Sequence, residues 1–223
     1  MNDRISGGLT FAASMCAIVC TVLLVRREFF VPTPPDAEPA ISQVKDWPSY
    51  TRGGQSIGDQ DAVVTIVEFA DFQCPACRKF AVKTWPAIHR MYGSKVRLVY
   101  RHFPLSYHDQ AYDASKSAEC ASAQGRFEQM HDALFLAQDS IRHGKFQEFA
   151  RTAGIPNIAE FDACMANKLP VPSIEADMKA FEQVGGRGTP TILANGFRFA
   201  SPPDSARLSA FIDDQLRKFG AKD

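Results

Sequence analysis

The pattern of apolar positions in the first half of the chain predicts two buried strands with a helix between them. Residues 62–70, AVVTIVEFA, are β-branched and almost uninterrupted, which is typical of a central strand buried on both faces. Residues 95–103, KVRLVYRHF, predict a second strand. Between them, apolar residues recur at steps of three and four from Cys77 to Met91, which predicts one buried helical stripe with a kink at Pro86. Strand, helix and strand in this order predict a parallel pair joined by a right-handed crossover.

The rest of the pattern predicts a helical block, a hairpin and a last helix. Apolar residues recur at helical spacing in successive segments of residues 109–184, and glycine and proline separate these segments. Residues 189–200 hold two short apolar runs around Asn195-Gly196, which is a strong hairpin signal. An amphipathic helix follows the hairpin. The predicted parts of this α/β fold are one domain made of residues 47–108 and 185–223, and an insertion made of residues 109–184.

The N-terminal segment carries an apolar run long enough to cross a membrane. Gly8 to Val25 holds no charged residue, and because Arg4 precedes it and Arg26-Arg27 follow it, charge leaves its orientation open. No small-x-small cleavage site follows the run, so we expect residues 1–30 to form an uncleaved membrane helix, with a cleaved signal as the alternative. The proline-rich residues 31–46 predict a semi-rigid linker to the folded part.

Charge and cysteine content narrow the class of protein. The chain has 25 Lys and Arg against 25 Asp and Glu, without a clustered basic face, so no nucleic acid partner is predicted. The six cysteines fall into three pairs along the chain, which favours an oxidising compartment. The pairs are Cys16 and Cys20, which we interpret as small apolar residues of the membrane helix, Cys74 and Cys77, and Cys120 and Cys164.

The Cys-Pro-Ala-Cys motif, Cys74 to Cys77, follows the first predicted strand and starts the helix. Backbone N–H groups at a helix start should stabilise a thiolate on Cys74 and lower its pKa, whereas Cys77 faces inward. This asymmetry predicts that Cys74 exchanges with external thiols and that Cys77 closes or reopens the internal disulfide. A zinc site needs about four ligands, and the chain has no second Cys-x-x-Cys, so no metal is predicted. A purely structural disulfide and two inert core cysteines stay open as alternatives.

Four stretches together resemble a known family. They are VEFADFQCPAC, VRLVYRHFPL, AECASAQGRFEQMHDALF and GTPTILANG, in that order within residues 62–196. In this combination the chain resembles the DsbA-like thiol-disulfide oxidoreductases of the bacterial cell envelope, within the thioredoxin-fold superfamily. The resemblance implies a thioredoxin fold with an inserted helical domain and no cofactor, here preceded by the single predicted transmembrane helix. It also implies that Cys74 is the exposed nucleophile and Cys77 the buried resolving thiol.

The resemblance assigns roles outside the motif as well. Glu68, six residues before Cys74, matches the family's buried acid, which moves a proton to or from Cys77, and burial should raise its pKa. The alternative is a strand acid near a sheet edge that a partner satisfies. Thr189-Pro190 matches the family's cis-proline loop, whose extended backbone binds a substrate strand. Candidates for the mouth of the site are Asp71, Gln73, His102 and His108, with a solvent-facing position as the alternative for the two histidines.

Cys120 and Cys164 fall in different helices of the predicted insertion. A structural disulfide is one interpretation and two separate buried thiols are the other, because sequence does not show whether the two side chains face each other. A bridge would close a long loop and contribute about 3–4 kcal/mol in the chain-entropy model. It would suit the cell envelope, where free thiols beside an oxidase would be hazardous.

These inferences predict a protein thiol-disulfide oxidoreductase at the periplasmic face of the inner membrane, acting as a dithiol oxidase. Its expected partners are reduced or unfolded exported proteins and a membrane quinone-linked thiol oxidase, or a membrane reductase in the opposite direction, and a monomer is expected. The Pro-Ala dipeptide of the motif matches neither the Pro-His of the best-known oxidase nor the Gly-Pro of thioredoxin, so the direction stays open. A reductase or isomerase is one alternative, and a non-catalytic peptide-holding or metal-delivery module is the other.

Overall fold

A computed structural model gives the fold of the chain and describes Thr21 and residues 40–219. The strands are β1 (Ile41–Gln43), β2 (Gln55–Gly58), β3 (Val64–Ala70), β4 (Val96–His102), β5 (Thr191–Ala194) and β6 (Phe197–Phe199). The α-helices are α1 (Pro75–Lys79), α2 (Trp85–Tyr92), α3 (Ala111–Ser122), α4 (Phe127–Leu136), α5 (Phe146–Thr152), α6 (Ile158–Ala166), α7 (Pro172–Gln183) and α8 (Ser205–Phe219). In the described part of the chain the strands form one mixed sheet of six, in the order β1-β6-β5-β3-β4-β2.

Strand β3 lies inside the sheet, as its apolar sequence predicts. All seven of its residues are buried, and it pairs in parallel with β4 and antiparallel with β5. Helices α1 and α2 connect β3 to β4, which confirms the predicted parallel strand-helix-strand unit. The hairpin of β5 and β6 is also confirmed. Its turn residues Asn195 and Gly196 both have positive φ, a conformation that asparagine and glycine tolerate better than other residues.

The helix after the motif is interrupted just before Pro86. A π-helical turn, Phe80–Thr84, separates α1 from α2. The predicted distortion takes this form because proline lacks the N–H that a regular α-helix would use at that position. The wider π turn rotates the stripe that follows it. Trp85 and Ile88 are therefore buried, whereas Met91, predicted to lie in the buried stripe, is 61% exposed.

The sheet begins earlier in the chain than the apolar pattern predicts. Strand β1 pairs with β6, although its residues fall within the predicted linker of residues 31–46. Strand β2 pairs with β4 and was not predicted as a strand. Both are short edge strands without a long alternating pattern, so local sequence carries little signal for them. Residues 41–43 therefore belong to the folded part rather than to a linker.

Helices α3 to α7 form the helical block between β4 and β5. Cys120 in α3 and Cys164 in α6 form a disulfide with a Cα–Cα distance of 5.8 Å. Asp177 in α7 accepts hydrogen bonds from Arg101 Nε at 2.7 Å and from the backbone N–H of His102 at 2.8 Å. Arg101 and His102 belong to β4, so the helical block is joined to the strand that lies next to β3.

The predicted membrane helix in residues 1–30 lies outside the described residues, apart from Thr21. Among the helices that the structure describes, none combines the length and the apolar character needed to span a bilayer. The membrane anchor therefore stays a prediction.

Candidate active site

The two cysteines of the motif lie at the junction between β3 and α1. Cys74 caps the N-terminus of α1 with extended backbone (φ −73°, ψ 122°), and Pro75 takes the first helical position, where its missing N–H costs the helix nothing. Both cysteines are free thiols. Cys74 is 7% exposed and Cys77 is 0% exposed. Cys74 is thus more covered than the expected exposed nucleophile, yet it is the thiol of the pair that solvent reaches.

The loop before α1 is held by Asp71, whose carboxylate is buried. Its Oδ1 accepts the N–H of Gln73 at 2.6 Å, and its Oδ2 lies 2.8 Å from His108 Nδ1. Asp71, Gln73 and His108 therefore lie together beside the motif. His102, also expected at the mouth, is instead buried, with Nε2 2.9 Å from Glu119 Oε1. It is the last residue of β4, and its side chain points to the helical block rather than to the mouth.

The loop before β5 lies against Cys74. The Thr189-Pro190 peptide bond is cis, and Cys74 Sγ lies 3.3 Å from the Thr189 carbonyl oxygen, to which the protonated form of the thiol donates a hydrogen bond. The Thr189 hydroxyl is buried and meets no hydrogen-bond partner within the described part of the chain. Because extended backbone can pair with a substrate strand through main-chain hydrogen bonds, this loop has the position that the resemblance implied.

The surroundings of Cys74 lower the pKa of its thiol from 9.0 to about 5. The hydrogen bond from the Cys77 thiol is the largest cause, and burial opposes it. The Thr189 side chain and the backbone N–H groups of Cys77 and Ala76 lower the pKa further. We predicted from sequence that the helix start would be the cause, but the neighbouring thiol contributes more than the backbone. At neutral pH Cys74 is therefore a thiolate.

The pKa values of Cys77 and Glu68 are raised, whereas that of Cys74 is lowered. Burial, the hydrogen bond with Cys74 and the charge of Glu68 raise the pKa of Cys77 well above 9.0. Burial, and then the charge of Cys74, raise the pKa of Glu68 well above 4.5. Both carboxylate oxygens of Glu68 are buried and have no hydrogen-bond partner among the residues that the structure describes. A partner-satisfied acid at a sheet edge, the alternative interpretation of Glu68, does not fit this environment.

Gln138, a residue that sequence reasoning missed, holds the motif from the helical block. Its buried side chain donates from Nε2 to the Phe72 carbonyl at 2.7 Å and to the Cys74 carbonyl at 3.0 Å. Nearby, Arg78 Nη2 donates to the Leu136 carbonyl at 3.3 Å. Together these contacts fix the backbone that carries the nucleophile. Because the two partners of Gln138 lie 66 and 64 residues away in the chain, no local signal announces them.

The arrangement combines an ionised, accessible sulfur with a protonated, sheltered sulfur one helical turn later. Such a pair can make and break disulfides by thiolate attack, because a sulfur of low pKa is both ionised at neutral pH and a good leaving group. The inner sulfur then closes or reopens the ring. The buried carboxyl beside it can supply or accept the proton that the inner sulfur exchanges.

Comparison with known families and structures agrees with this fold. Residues 51–214 match a model of the thioredoxin family. BdbD from Bacillus subtilis in its oxidised form has a TM-score of 0.67 and 21% identity, covering 74% of this chain and 94% of that chain. Wolbachia pipientis alpha-DsbA1 has a TM-score of 0.63 and 22% identity, covering 74% and 92%. Because identities of this size show a shared fold alone, they confirm the predicted thioredoxin fold with inserted helices and leave the activity to be argued from the site.

Curated relatives of higher identity carry a different name. The Na⁺/H⁺ antiporter NhaA 3 of Salinispora tropica is 33% identical over 174 residues, which make up 74% of this chain and 26% of that protein. The Na⁺/H⁺ antiporter NhaA 1 of Mycolicibacterium gilvum is 33% identical over 155 residues, 68% of this chain and 25% of that protein. The chain spans about a quarter of the length of the curated relatives it matches.

Proposed function

The chain belongs to the thioredoxin family, and from that premise we propose that it is an oxidoreductase that passes a Cys74–Cys77 disulfide to the cysteines of other proteins. One observation carries the proposal: two thiols of a single motif have pKa values moved in opposite directions, Cys74 to about 5 and Cys77 well above 9.0. Thiol-disulfide exchange uses this difference in pKa. The attacking sulfur has to be ionised, while the buried sulfur keeps its proton until it attacks the mixed disulfide.

In the oxidising direction, a substrate thiolate attacks Cys74 Sγ of the enzyme disulfide. The Cys74–Cys77 bond breaks, a mixed disulfide forms, and Cys77 leaves as a thiolate that takes a proton from Glu68. A second substrate thiolate attacks the substrate sulfur of the mixed disulfide and releases Cys74 as a thiolate, which its low pKa favours. Two electrons pass from substrate to enzyme, and the substrate keeps a disulfide. The Thr189-Pro190 backbone holds the substrate strand beside Cys74 during this exchange.

The low pKa of Cys74 supports the oxidising direction, because a stabilised thiolate favours the dithiol form of the enzyme. Thioredoxin combines a pKa of about 7 with a potential of about −270 mV, and DsbA combines about 3.5 with about −120 mV. Lowering the pKa from about 7 to the value of about 5 found for Cys74 stabilises the thiolate at pH 7 by about 2.3 kcal/mol, or about 50 mV. We therefore expect a potential of about −220 mV.

The redox potential of the motif, measured by equilibration with glutathione buffers, tests the direction. A value of about −220 mV or higher agrees with an oxidase, whereas a value of about −270 mV contradicts it and favours a reductase. Cys74→Ala should abolish both oxidative refolding of a reduced substrate and reduction of insulin, while Cys77→Ala should accumulate mixed disulfides. If Cys74→Ala leaves both activities unchanged, the chain is a non-catalytic peptide-holding or metal-delivery module.

We further propose that the reaction takes place at the periplasmic face of the inner membrane, on reduced exported proteins, with reoxidation by a membrane quinone-linked thiol oxidase. The apolar run Gly8 to Val25 and the Cys120–Cys164 disulfide, which persists in oxidising compartments, support this location. The full chain should fractionate with membranes, and a chain without residues 1–30 should not; equal behaviour would contradict the anchor. Gel filtration should give a monomer, and a stable dimer would favour an isomerase.

A further inference from the structure

Two polar side chains near Cys77 are buried together without hydrogen-bond partners. Glu68 on β3 and Tyr100 on β4 are directly paired in the parallel register, so their side chains stand on the same face of the sheet. Within residues 40–219, neither oxygen of the Glu68 carboxyl nor the Tyr100 hydroxyl has a partner. Burial, and then the charges of Cys77 and Glu68, raise the pKa of Tyr100, so its hydroxyl is within electrostatic reach of both groups. An unpartnered buried polar group destabilises the folded state, so this cluster calls for a functional reason.

His131 on α4 extends this cluster towards the surface. Its ring stands edge-on to the Tyr100 ring, with centroids 5.2 Å apart and an interplanar angle of 82°. The side chain is fully buried, and among the described residues its Nε2 also has no hydrogen-bond partner. Its Nδ1 lies 2.9 Å from Oδ1 of Asp132, whose side chain is 59% exposed. Glu68, Tyr100 and His131 are therefore buried polar groups that lack direct hydrogen bonds to one another, and the outermost of them, His131, contacts an exposed carboxylate.

Glu68 needs such a connection, because it has no access to solvent of its own. It lies on an inner strand at 0% exposure, and Cys77, whose charge state it feels, is also 0% exposed. Each time the Cys77 sulfur leaves or attacks, one proton has to enter or leave this enclosed space. Proton transfer requires donors and acceptors within hydrogen-bond reach, either directly or through one water.

We propose that Tyr100, His131 and Asp132 form a proton route between Glu68 and solvent. The proposal rests on the proposed function, because the thiol chemistry of Cys77 is what requires Glu68 to lose and regain a proton. After Cys77 has taken the Glu68 proton, Asp132 takes a proton from water and passes it to His131 Nδ1. The His131 Nε2–H then gives its proton to the Tyr100 hydroxyl as that hydroxyl gives its own to Glu68, each time through a bridging water, because these atoms are not in direct hydrogen-bond contact.

One proton has then moved from solvent to Cys77, Glu68 is protonated again, and Tyr100 was never ionised. His131 has changed from the Nε2–H to the Nδ1–H tautomer. Reoxidation of the motif reverses this, because Cys77 then loses a proton, which leaves along the same side chains and restores the first tautomer. The route therefore returns to its starting state over one catalytic cycle, with solvent as the source and the sink of the proton.

A second histidine beside Tyr100 does not offer the same exit. His102 also stands 5.2 Å from the Tyr100 ring, with its Nε2 2.9 Å from Glu119 Oε1. Glu119 already accepts hydrogen bonds from Gln55 and Ser173, and its side chain is only 15% exposed. Burial raises the pKa of Glu119, but its hydrogen bonds outweigh burial and lower it, so this carboxylate holds a proton poorly. The other charged groups that act on the Tyr100 hydroxyl are Asp71 and Asp177.

The test follows the resolving step alone. Reduced protein is mixed with oxidised glutathione, which forms a mixed disulfide at Cys74, and stopped-flow kinetics follow its closure by Cys77. Tyr100→Phe and Asp132→Asn should each slow closure of the Cys74–Cys77 disulfide at pH 7 by about tenfold or more. The pKa of Cys74 and the equilibrium redox potential should stay unchanged, because the route affects the rate of proton transfer and not the states that it connects. Glu128→Gln removes another exposed carboxylate of α4 and should have no effect.

Under this proposal, Tyr100→Phe slows disulfide closure without lowering the free energy of unfolding. Loss of an unpartnered buried hydroxyl should leave the free energy of unfolding unchanged or raise it, so slow closure could not be attributed to misfolding. Added imidazole buffer should restore part of the rate in Asp132→Asn. Closure within twofold of the parent in Tyr100→Phe, alongside slow closure in Glu68→Gln, would overturn the route and leave the proposed function standing. If Cys74→Ala still exchanges thiols, the proposed function fails first.

Discussion

The low pKa of Cys74 should make the reduced protein more stable than the oxidised protein, in a pH-dependent way. In the unfolded chain the thiol titrates near 9.0, and in the folded dithiol form it titrates near about 5. Because folding lowers this pKa, the contribution is complete above pH 9, declines as the pH falls towards 5, and is absent below it. At pH 7 it amounts to about 2.7 kcal/mol, and between pH 5 and pH 7 it changes by about 2 kcal/mol.

The disulfide form lacks this contribution, because a bonded sulfur does not titrate. Urea unfolding of the reduced and oxidised protein at pH 5 and pH 7 measures it as a difference between the two forms. The pKa of Cys77 is raised above 9.0, so Cys77 adds nothing in this window, and Glu68 is present in both forms, so most of its pH dependence cancels. Reduced Cys74→Ala is the control and should lose the gain between pH 5 and pH 7.

A stability difference that is the same at pH 5 and pH 7 would refute this reasoning. It would mean that the Cys74 thiol is not ionised in the folded protein at neutral pH, and the expected potential of the motif would fall towards that of a thioredoxin. That result would also remove the main support for the oxidising direction.

Three further substitutions test single contacts of the site. Cys77→Ala removes the largest cause of the low pKa of Cys74. The pKa of Cys74 should rise by about 1 to 2, because a hydrogen bond to a charged group contributes about 1.5–3 kcal/mol. A titration of thiolate absorbance that still gives about 5 would assign the low pKa to the backbone N–H groups. In the oxidised protein, the free energy of unfolding should fall as the pH rises above about 4.5, by at most about 1.4 kcal/mol per pH unit, because unfolding lets Glu68 ionise. Glu68→Gln should abolish that fall. If urea unfolding gives the same pH dependence in this variant, the pKa of Glu68 is not raised. Gln138→Leu leaves the Phe72 and Cys74 carbonyls without their donor and should slow alkylation of the Cys74 thiolate several-fold. Gln124→Leu removes a half-buried amide that donates to another carbonyl of the helical block, and it should change the rate little. Equal rates in the two variants would show that Gln138 does not position the nucleophile.

Local sequence determined the elements and the reactive pair. The uninterrupted apolar run of β3, the turn signal of Asn195-Gly196 and the Cys74-to-Cys77 spacing act through neighbours in the chain, so they can be read without the fold. The resemblance added what no local rule supplies, the roles expected of Glu68 and of the Thr189-Pro190 bond. Edge strands β1 and β2 were missed because pairing with β6 and β4, and not local preference, makes them strands.

Tertiary structure alone decided how the thiols are tuned. The Cys74 sulfur contacts the carbonyl of Thr189, which lies 115 residues away in the chain. Gln138 donates a hydrogen bond to the Cys74 carbonyl from 64 residues away. Cys77 outweighs the helix start as the cause of the low pKa because its thiol points at the Cys74 sulfur, and only the folded backbone sets that direction. Ionisation depends on burial and on hydrogen-bond partners, and both are properties of the packed molecule, since residues distant in the chain supply them.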